Sequence, residues 1–225
     1  MHIEPGVVDG AKMIMAYGTA AAAAGYSLKL SADDLKSHSV ISFGIRSLLA
    51  VVTVFLFFEV FPHFPVGISE VHFILGTTIL LLLGAGPATV GLAGGLLIQG
   101  VFFAPTDLPM YFVNVTTLLF PLFVIDALAK RVIPEQKAFV DCNYSEVLKL
   151  SVAYQGGVIA WVAFWAIYGQ GFGAENMAAV GSFGAAYLLV VLIEPIADLA
   201  VLAGAKLLRD TKQSGLFTSR LYNPA

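Results

Sequence analysis

Long apolar stretches separated by short polar ones run through the whole chain. A helix that crosses a bilayer needs about 20 mostly apolar residues, and six stretches match or approach that length: residues 7–30, 40–61, 88–104, 110–128, 146–168 and 176–208. Residues 66–86 hold a shorter apolar run, about 11 to 14 residues, which predicts a broken or re-entrant segment buried in protein. A polar turn is predicted at residues 31–39. The pattern predicts an all-α integral membrane protein, a bundle of about seven transmembrane helices with one short or re-entrant.

Composition supports this fold class and narrows the chemistry. The chain has 225 residues, of which 58% are hydrophobic and 12% charged, which excludes an ordinary soluble domain. Its single cysteine, Cys142, excludes an internal disulfide and any cysteine-based zinc or iron–sulfur site. We expect one transmembrane domain over residues 1–225, with an N-terminal metal-binding tail at residues 1–6 and a cytoplasmic tail at residues 209–225.

The distribution of positive charge predicts the orientation of the bundle. If the N-terminus lies outside, the outer loops (residues 63–71, 105–109 and 169–175) and the N-terminal tail contain no lysine or arginine. The inner segments carry the basic residues Lys29, Lys36, Lys130, Arg131, Lys137, Lys149, Lys206, Arg209, Lys212 and Arg220. This asymmetry follows the positive-inside rule, so we expect an outside N-terminus and a cytoplasmic C-terminus.

The first two residues, Met1 and His2, can chelate a metal ion. The free amine, the deprotonated backbone nitrogen of His2 and its imidazole close two fused chelate rings and leave one planar position open. A second histidine would complete a square of four nitrogens, which suits Ni(II) or Cu(II), with Co(II) as a further candidate. The competing interpretation is a disordered start with an incidental histidine.

Two later histidines compete for the fourth position on the same predicted face. His72 opens the short third segment and can point into the bundle, so we rank it first, whereas His63 stands between two prolines in a loop that should be exposed. Glu70, two residues before His72, is a lesser candidate. His38 falls on the predicted cytoplasmic side, where we expect it to be solvated.

Ionisable residues inside the predicted spans are functional candidates by default. Glu194 and Asp198 lie four residues apart on the last span and could bind a cation, receive a partner helix, or mark a packed kink at Pro195. Arg46 needs a counter-ion, for which Glu194, Asp198 or Asp126 is expected.

The chain resembles the substrate-binding membrane subunits of cobalt and nickel energy-coupling-factor transporters, the CbiM/NikM family. The resemblance rests on the Met1-His2-Ile3 start followed by an acid, a proline and a glycine, and on a histidine opening the third segment. A Gly-x-x-Pro-Ala turn after that histidine (residues 84–88) and Asn114-Val115 in a later span agree with it.

The resemblance implies a function and a ligand set. The N-terminus would fold back into an outward pocket, and the amine, the His2 amide nitrogen, the His2 side chain and His72 would bind the metal, with Asn114 supporting the site. The chain would capture Ni(II) or Co(II) for an importer in the prokaryotic inner membrane. Its partners would be a membrane coupling subunit, cytoplasmic ABC ATPases and, as a further candidate, a small extra membrane subunit.

Other functions stay open or are disfavoured by the sequence. No Walker-type loop and no nucleophile–base motif is present, so we expect no enzyme, no ATP site and no nucleic-acid partner. The main alternative is an accessory or scaffold subunit of a larger membrane complex that holds a metal without moving it. A stand-alone metal channel is a weaker alternative.

Overall fold

Seven α-helices and one β-hairpin form the part of the chain described by the computed structural model, residues 2–208 and 216–224. The helices are α1 Met13–Ser37, α2 Val40–Phe55, α3 Gly76–Leu83, α4 Ala85–Phe102, α5 Tyr111–Val132, α6 Tyr144–Gln170 and α7 Ala174–Leu207. The hairpin pairs strand β1, Phe64–Val66, with strand β2, Ser69–Val71. Three parts of the expected tails lie outside the described residues. They are Met1 of the N-terminal tail, and residues 209–215 and residue 225 of the cytoplasmic tail.

Five helical segments of the described chain are long and apolar enough to cross a membrane. They are Val40–Val60, Ala85–Phe102, Pro105–Val132, Tyr144–Gln170 and Ala174–Leu207. The helix α3 has only eight residues, as the short third apolar run predicted. The sequence-based fold class, an all-α membrane bundle of about seven helices with one short member, is confirmed.

Small residues set the helix packing, since a bundle in lipid gains its stability from close van der Waals contact. The helices α2 and α4 are close neighbours because Gly91 and Gly95 face Ala50 and Val54. A Cβ atom added at Gly91 would lie 2.3 Å from the Cβ of Ala50, and one at Gly95 would lie 2.6 Å from Cγ1 of Val54. Neither glycine can be replaced without separating the two helices.

The polar turn predicted at residues 31–39 was wrong, because α1 remains helical through Ser37. Its charged residues are paired: Lys36 donates to Asp33 at 2.5 Å, and Asp34 faces another helix. The expected solvation of His38 was also wrong. Its Nδ1–H donates to the Asp34 carbonyl at 3.2 Å, and its Nε2 accepts from the backbone N–H of Ser219 at 3.2 Å.

The expected counter-ions of Arg46 were wrong as well. The buried Arg46 guanidinium donates to both carboxylate oxygens of Asp34, at 3.0 and 2.5 Å, and to the Leu83 carbonyl at 2.6 Å. Because Asp34 lies on the last turns of α1, it reaches Arg46 across the α1–α2 corner. Glu194 and Asp198 instead accept hydrogen bonds from other residues, and Asp126 is paired with Lys130 at 2.6 Å.

The hairpin lies where an irregular segment was predicted. Its turn uses Gly67 in the left-handed region, with φ +64°, where glycine carries no Cβ penalty. The same glycine packs on α7, since an added Cβ would lie 2.3 Å from the Ala179 carbonyl oxygen. The hairpin is thus fixed against α7, and its second strand leads directly into His72.

Candidate metal centre

The N-terminal tail docks on the hairpin as a partial third strand. Ile3 forms an antiparallel bridge with Ser69. The backbone N–H of Glu70 donates to the His2 carbonyl at 2.9 Å, and that of Glu4 donates to the Ile68 carbonyl at 3.1 Å. Ile3 itself is fully buried. These bonds hold the tail in one register, and that register buries the His2 side chain at the end of the helix bundle.

A second set of contacts fixes the tail on α6. Gln170 donates through Nε2 to the carbonyls of Gly6 at 2.8 Å and Val7 at 2.9 Å. Gly169 allows the close approach, because a Cβ at that position would lie 1.9 Å from the Val7 carbonyl oxygen. Lys12 donates to the Gly169 carbonyl at 2.5 Å.

His2 is 3% exposed, and its imidazole is held by one carboxylate. Its Nδ1–H donates to Oε2 of Glu70 at 2.7 Å. Burial, the largest influence, lowers the pKa of His2 below its ordinary value. Burial also acts to raise the pKa of Glu70, but the hydrogen bond from His2 and the electrostatic attraction of nearby positive groups together outweigh it, so that the pKa of Glu70 is lowered. The lowered pKa of His2 favours the neutral imidazole, which is the form that binds a metal ion.

His72 faces His2 across the site. It is 1% exposed, the two ring centroids lie 5.5 Å apart, and the Nδ1–H of His72 donates to the Phe73 carbonyl at 3.0 Å. The Nε2 atoms of both rings are buried and have no hydrogen-bond partner among the described residues. Since buried polar atoms are normally paired, two free imidazole lone pairs at one place indicate a ligand site.

Three side chains could share one ion. One ligand atom each from His2, Glu70 and His72 lies within 4.8 Å of the other two. Phe58 covers the pair of rings, with its centroid 4.4 Å from that of His72 and 5.9 Å from that of His2. The π-helical turn Leu56–Val60 places this ring. The cluster therefore combines two nitrogen donors and one carboxylate under an aromatic cover.

Asn114 supports the tail rather than either imidazole. Its Oδ1 accepts the backbone N–H of Ile3 at 2.8 Å, with both residues buried. The helix α5 thus holds the residue that follows His2. The supporting role that the sequence predicted for Asn114 stays a prediction, and this contact gives it a physical form.

The remaining candidates lie apart from the cluster or outside the described residues. His63 donates through Nδ1 to the Phe61 carbonyl at 3.2 Å and does not belong to the candidate metal cluster found among the described residues. Met1, whose amine was predicted as a ligand, lies outside the described residues. The carboxylates of Glu194 and Asp198 are also buried, and they accept hydrogen bonds from the segment that follows His72.

Two features of the site were not found from the sequence. Phe58 sits at the end of an apolar span, where nothing distinguishes it from other lipid-facing or core residues. Asp107 lines a small cavity of about 10 Å³ beside His2 and Asn114. The one sequence feature that pointed to Asp107 was its position in the link between two predicted spans, at the predicted outer face.

Comparison with known protein families gives one clear result. The family model CbiM, described as "cobalt uptake substrate-specific transmembrane region", matches residues 2–210. Comparisons with curated proteins and with solved structures give no match. The match covers the tail, the hairpin and all seven helices, and with the five apolar helical segments it supports a multi-pass protein of the prokaryotic inner membrane.

Proposed function

Because this chain belongs to the CbiM family, the substrate-specific membrane components of cobalt uptake systems, we propose that it captures Co(II) or Ni(II) through Met1, His2 and His72. The observation that carries the proposal is the docked tail, which brings the buried His2 ring to 5.5 Å from that of His72. A planar set of four nitrogens would comprise the amine, the His2 amide, the His2 imidazole and His72. Such a set favours Ni(II), and it would also accept Cu(II).

The position of Glu70 sets a condition on this ligand set. The chelate ring from the His2 amide closes through Nδ1, because Nε2 is on the far side of the imidazole. In the structure Nδ1–H donates to Glu70 at 2.7 Å. Metal capture by four nitrogens therefore replaces that hydrogen bond and requires the other imidazole tautomer, with the proton moved from Nδ1 to Nε2. A second ligand set, His2 Nε2, His72 Nε2 and a Glu70 oxygen, would leave the hydrogen-bonded tautomer unchanged.

Spectroscopy separates the two ligand sets. A planar four-nitrogen site makes Ni(II) diamagnetic, whereas two imidazoles with a carboxylate and water leave it paramagnetic. We expect the diamagnetic form in protein with a free Met1 amine, and its loss when that amine is acetylated. A paramagnetic Ni(II) that ignores acetylation would assign the site to His2, His72 and Glu70 alone.

The transport role requires partners that the chain does not supply. We propose that the metal face is extracytoplasmic and that residues 209–225 lie in the cytoplasm, as the positive-inside rule favours. A membrane coupling subunit and cytoplasmic ABC ATPases, with a small extra membrane subunit as a further candidate, would supply the energy. The whole chain, residues 1–225, would act as one transmembrane domain whose tail, residues 1–6, completes the metal site.

Metal analysis of the full chain with a native amino terminus tests the proposal. After loading with Co(II) or Ni(II), we expect about one ion per chain, held by the wild type and by His63→Ala and lost in His2→Ala and His72→Ala. His63→Ala is the matched control, since it removes a histidine at the same end of the bundle. Absence of bound metal from the wild type after loading would refute the proposal.

The contact between Glu70 and His2 also favours a second candidate, an accessory subunit that holds a metal without moving it. With a carboxylate in the ligand set, the protein would retain the ion, as a structural metal site does, rather than pass it on. Co-purification separates the two functions. Coupling and ATPase subunits support the importer, whereas stable association with a membrane enzyme supports the accessory role.

A further inference from the structure

The segment that carries His72 into the bundle ends in a strained turn. Leu75 adopts a left-handed backbone conformation, φ 55° and ψ 35°, which is costly for a branched, non-glycine residue. It stands directly before α3, which begins at Gly76. Only two residues therefore separate His72, a candidate metal ligand, from a backbone conformation that the surrounding structure must hold in place.

Glu194 of α7 provides that restraint. Its Oε1 accepts the backbone N–H of Ile74, two residues after His72, and its other oxygen accepts Nε2–H of Gln155 from α6. Gln155 is fixed in turn, since its Oε1 accepts the hydroxyl of Tyr187 at 2.7 Å. All these groups are buried. One carboxylate thus connects the His72 segment to two membrane helices.

A second carboxylate one turn further along α7 holds the helix that follows. Asp198 accepts the hydroxyl of Thr78, on the first turn of α3. The spacing of four residues puts Glu194 and Asp198 on the same face of α7, so that one contacts the segment before α3 and the other contacts α3 itself. Only the Glu194 contact adjoins the residues that lead back to His72.

We propose that Glu194 is a positioning residue for metal capture, which holds the His72 segment through the Ile74 amide so that the His72 imidazole faces His2. This role rests on the proposed function and adds a residue to it. Without the carboxylate, the Ile74 N–H and the Gln155 amide lose their partners in the protein interior, where unpaired polar groups are costly. Relaxation of the Leu75 turn would then displace His72, although His2, His72 and Glu70 are all present.

The test compares three substitutions in the full chain. Glu194→Gln keeps an oxygen for the Ile74 amide, and rotation of the Gln155 amide restores the second bond, with the Tyr187 hydroxyl then accepting. Glu194→Leu removes both acceptors. Thr78→Val removes the hydroxyl that donates to Asp198 and serves as the matched control, a buried polar loss at the neighbouring contact between α7 and α3.

Two readouts are measured for each protein: the affinity for Ni(II) and the ligand-field spectrum of bound Ni(II). We expect Glu194→Leu to bind at least about tenfold more weakly, as for other residues that orient metal ligands, with a changed spectrum. Glu194→Gln should retain the wild-type affinity and spectrum. Thr78→Val should lower the thermal stability and leave the spectrum unchanged. If Glu194→Leu does not fold, Glu194→Asp, whose shorter side chain withdraws from Ile74, gives the same comparison.

Three results would overturn the assignment. The first is a wild-type spectrum and affinity in Glu194→Leu, and the second is a spectral change in Thr78→Val equal to that in Glu194→Leu. The third is a loss of Ni(II) affinity in Glu194→Gln as large as in Glu194→Leu. The last would indicate that the charge of Glu194, rather than its hydrogen bond, matters. Wild-type protein that binds no Ni(II) would instead refute the proposed function, and the inference with it.

Discussion

Replacement of Gly169 by alanine should separate the N-terminal tail from the bundle. An added Cβ would lie 1.9 Å from the Val7 carbonyl oxygen, whereas carbon–oxygen contacts in proteins are about 3.3 Å or longer. The tail would therefore have to retreat by about 1.4 Å. The retreat draws the Gly6 and Val7 carbonyls away from Gln170, which now donates to both.

The magnitude follows from the bonds that the retreat breaks. A typical intramolecular hydrogen bond contributes about 1 kcal/mol net, so the loss of both bonds from Gln170 should weaken tail docking by about 2 kcal/mol. Since 1.4 kcal/mol corresponds to a factor of ten, the docked-to-undocked ratio should fall by about 30-fold. The metal affinity should fall by up to the same factor, because only the docked tail places His2 beside His72.

Amide hydrogen exchange of the tail measures this ratio directly. The Ile3 and Glu4 amides donate to Asn114 and to the Ile68 carbonyl in the docked state, so their protection scales with the docking equilibrium. We expect exchange at both amides to quicken by about 30-fold in Gly169→Ala, and Ni(II) binding to weaken in parallel.

Gly156→Ala is the matched control, since Gly156 lies on the same helix and an added Cβ there would meet nothing within 4 Å. Alanine exceeds glycine in helix propensity by about 1 kcal/mol, so this variant should be as stable as the wild type or slightly more, with normal tail exchange. Unchanged tail exchange in Gly169→Ala would refute the docking described above. Equal effects in both variants would assign the change to α6 itself.

Three further predictions concern other contacts. Asn114→Leu leaves the buried Ile3 N–H unpaired at a cost of about 1–3 kcal/mol, so Ni(II) affinity should fall about 5- to 150-fold in a chelator competition; an unchanged affinity would contradict the supporting role. Arg46→Leu leaves the Asp34 carboxylate without its counter-ion and should lower the free energy of unfolding by about 3–5 kcal/mol. The double variant Arg46→Leu/Asp34→Asn should lose less stability, and equal losses would contradict the pairing. Burial raises the pKa of Cys142 to about 11, so maleimide should label it at about pH 7.5 only after unfolding; rapid labelling of the folded protein would contradict this burial.

The membrane spans could be predicted from the sequence because the signal is local. A run of apolar residues long enough to cross a bilayer is visible without knowing its neighbours, and the short run before Gly84 correctly indicated that α3 is not a full crossing. The ends of helices were less predictable. The charged residues at 31–39 suggested a turn, yet α1 continues to Ser37 because Asp34 is neutralised by Arg46 from the next helix.

The contacts of the candidate site depended on pairings that no local pattern encodes. Each hairpin strand has three residues, too few for an alternating pattern to indicate a strand. The contact between Glu70 and His2 depends on the register that Ile3 and Ser69 establish. The sequence supplied His2 and His72 as candidates, through chemistry, topology and family resemblance. It also supplied Glu70 as a lesser candidate, but not the hydrogen bond that joins Glu70 to His2.

The contact between Glu70 and His2 gives the proposed site a consistent charge balance. In a buried site an unbalanced charge is expensive. A divalent ion bound through one deprotonated amide nitrogen retains one positive charge, and the Glu70 carboxylate, within 4.8 Å of the His2 and His72 ligand atoms, can neutralise it. In the absence of metal, the same carboxylate orients the His2 ring and satisfies Nδ1–H. In the four-nitrogen set, Glu70 would thus offset the charge of the bound ion without being a ligand, and in the metal-free state it accepts the Nδ1–H of His2.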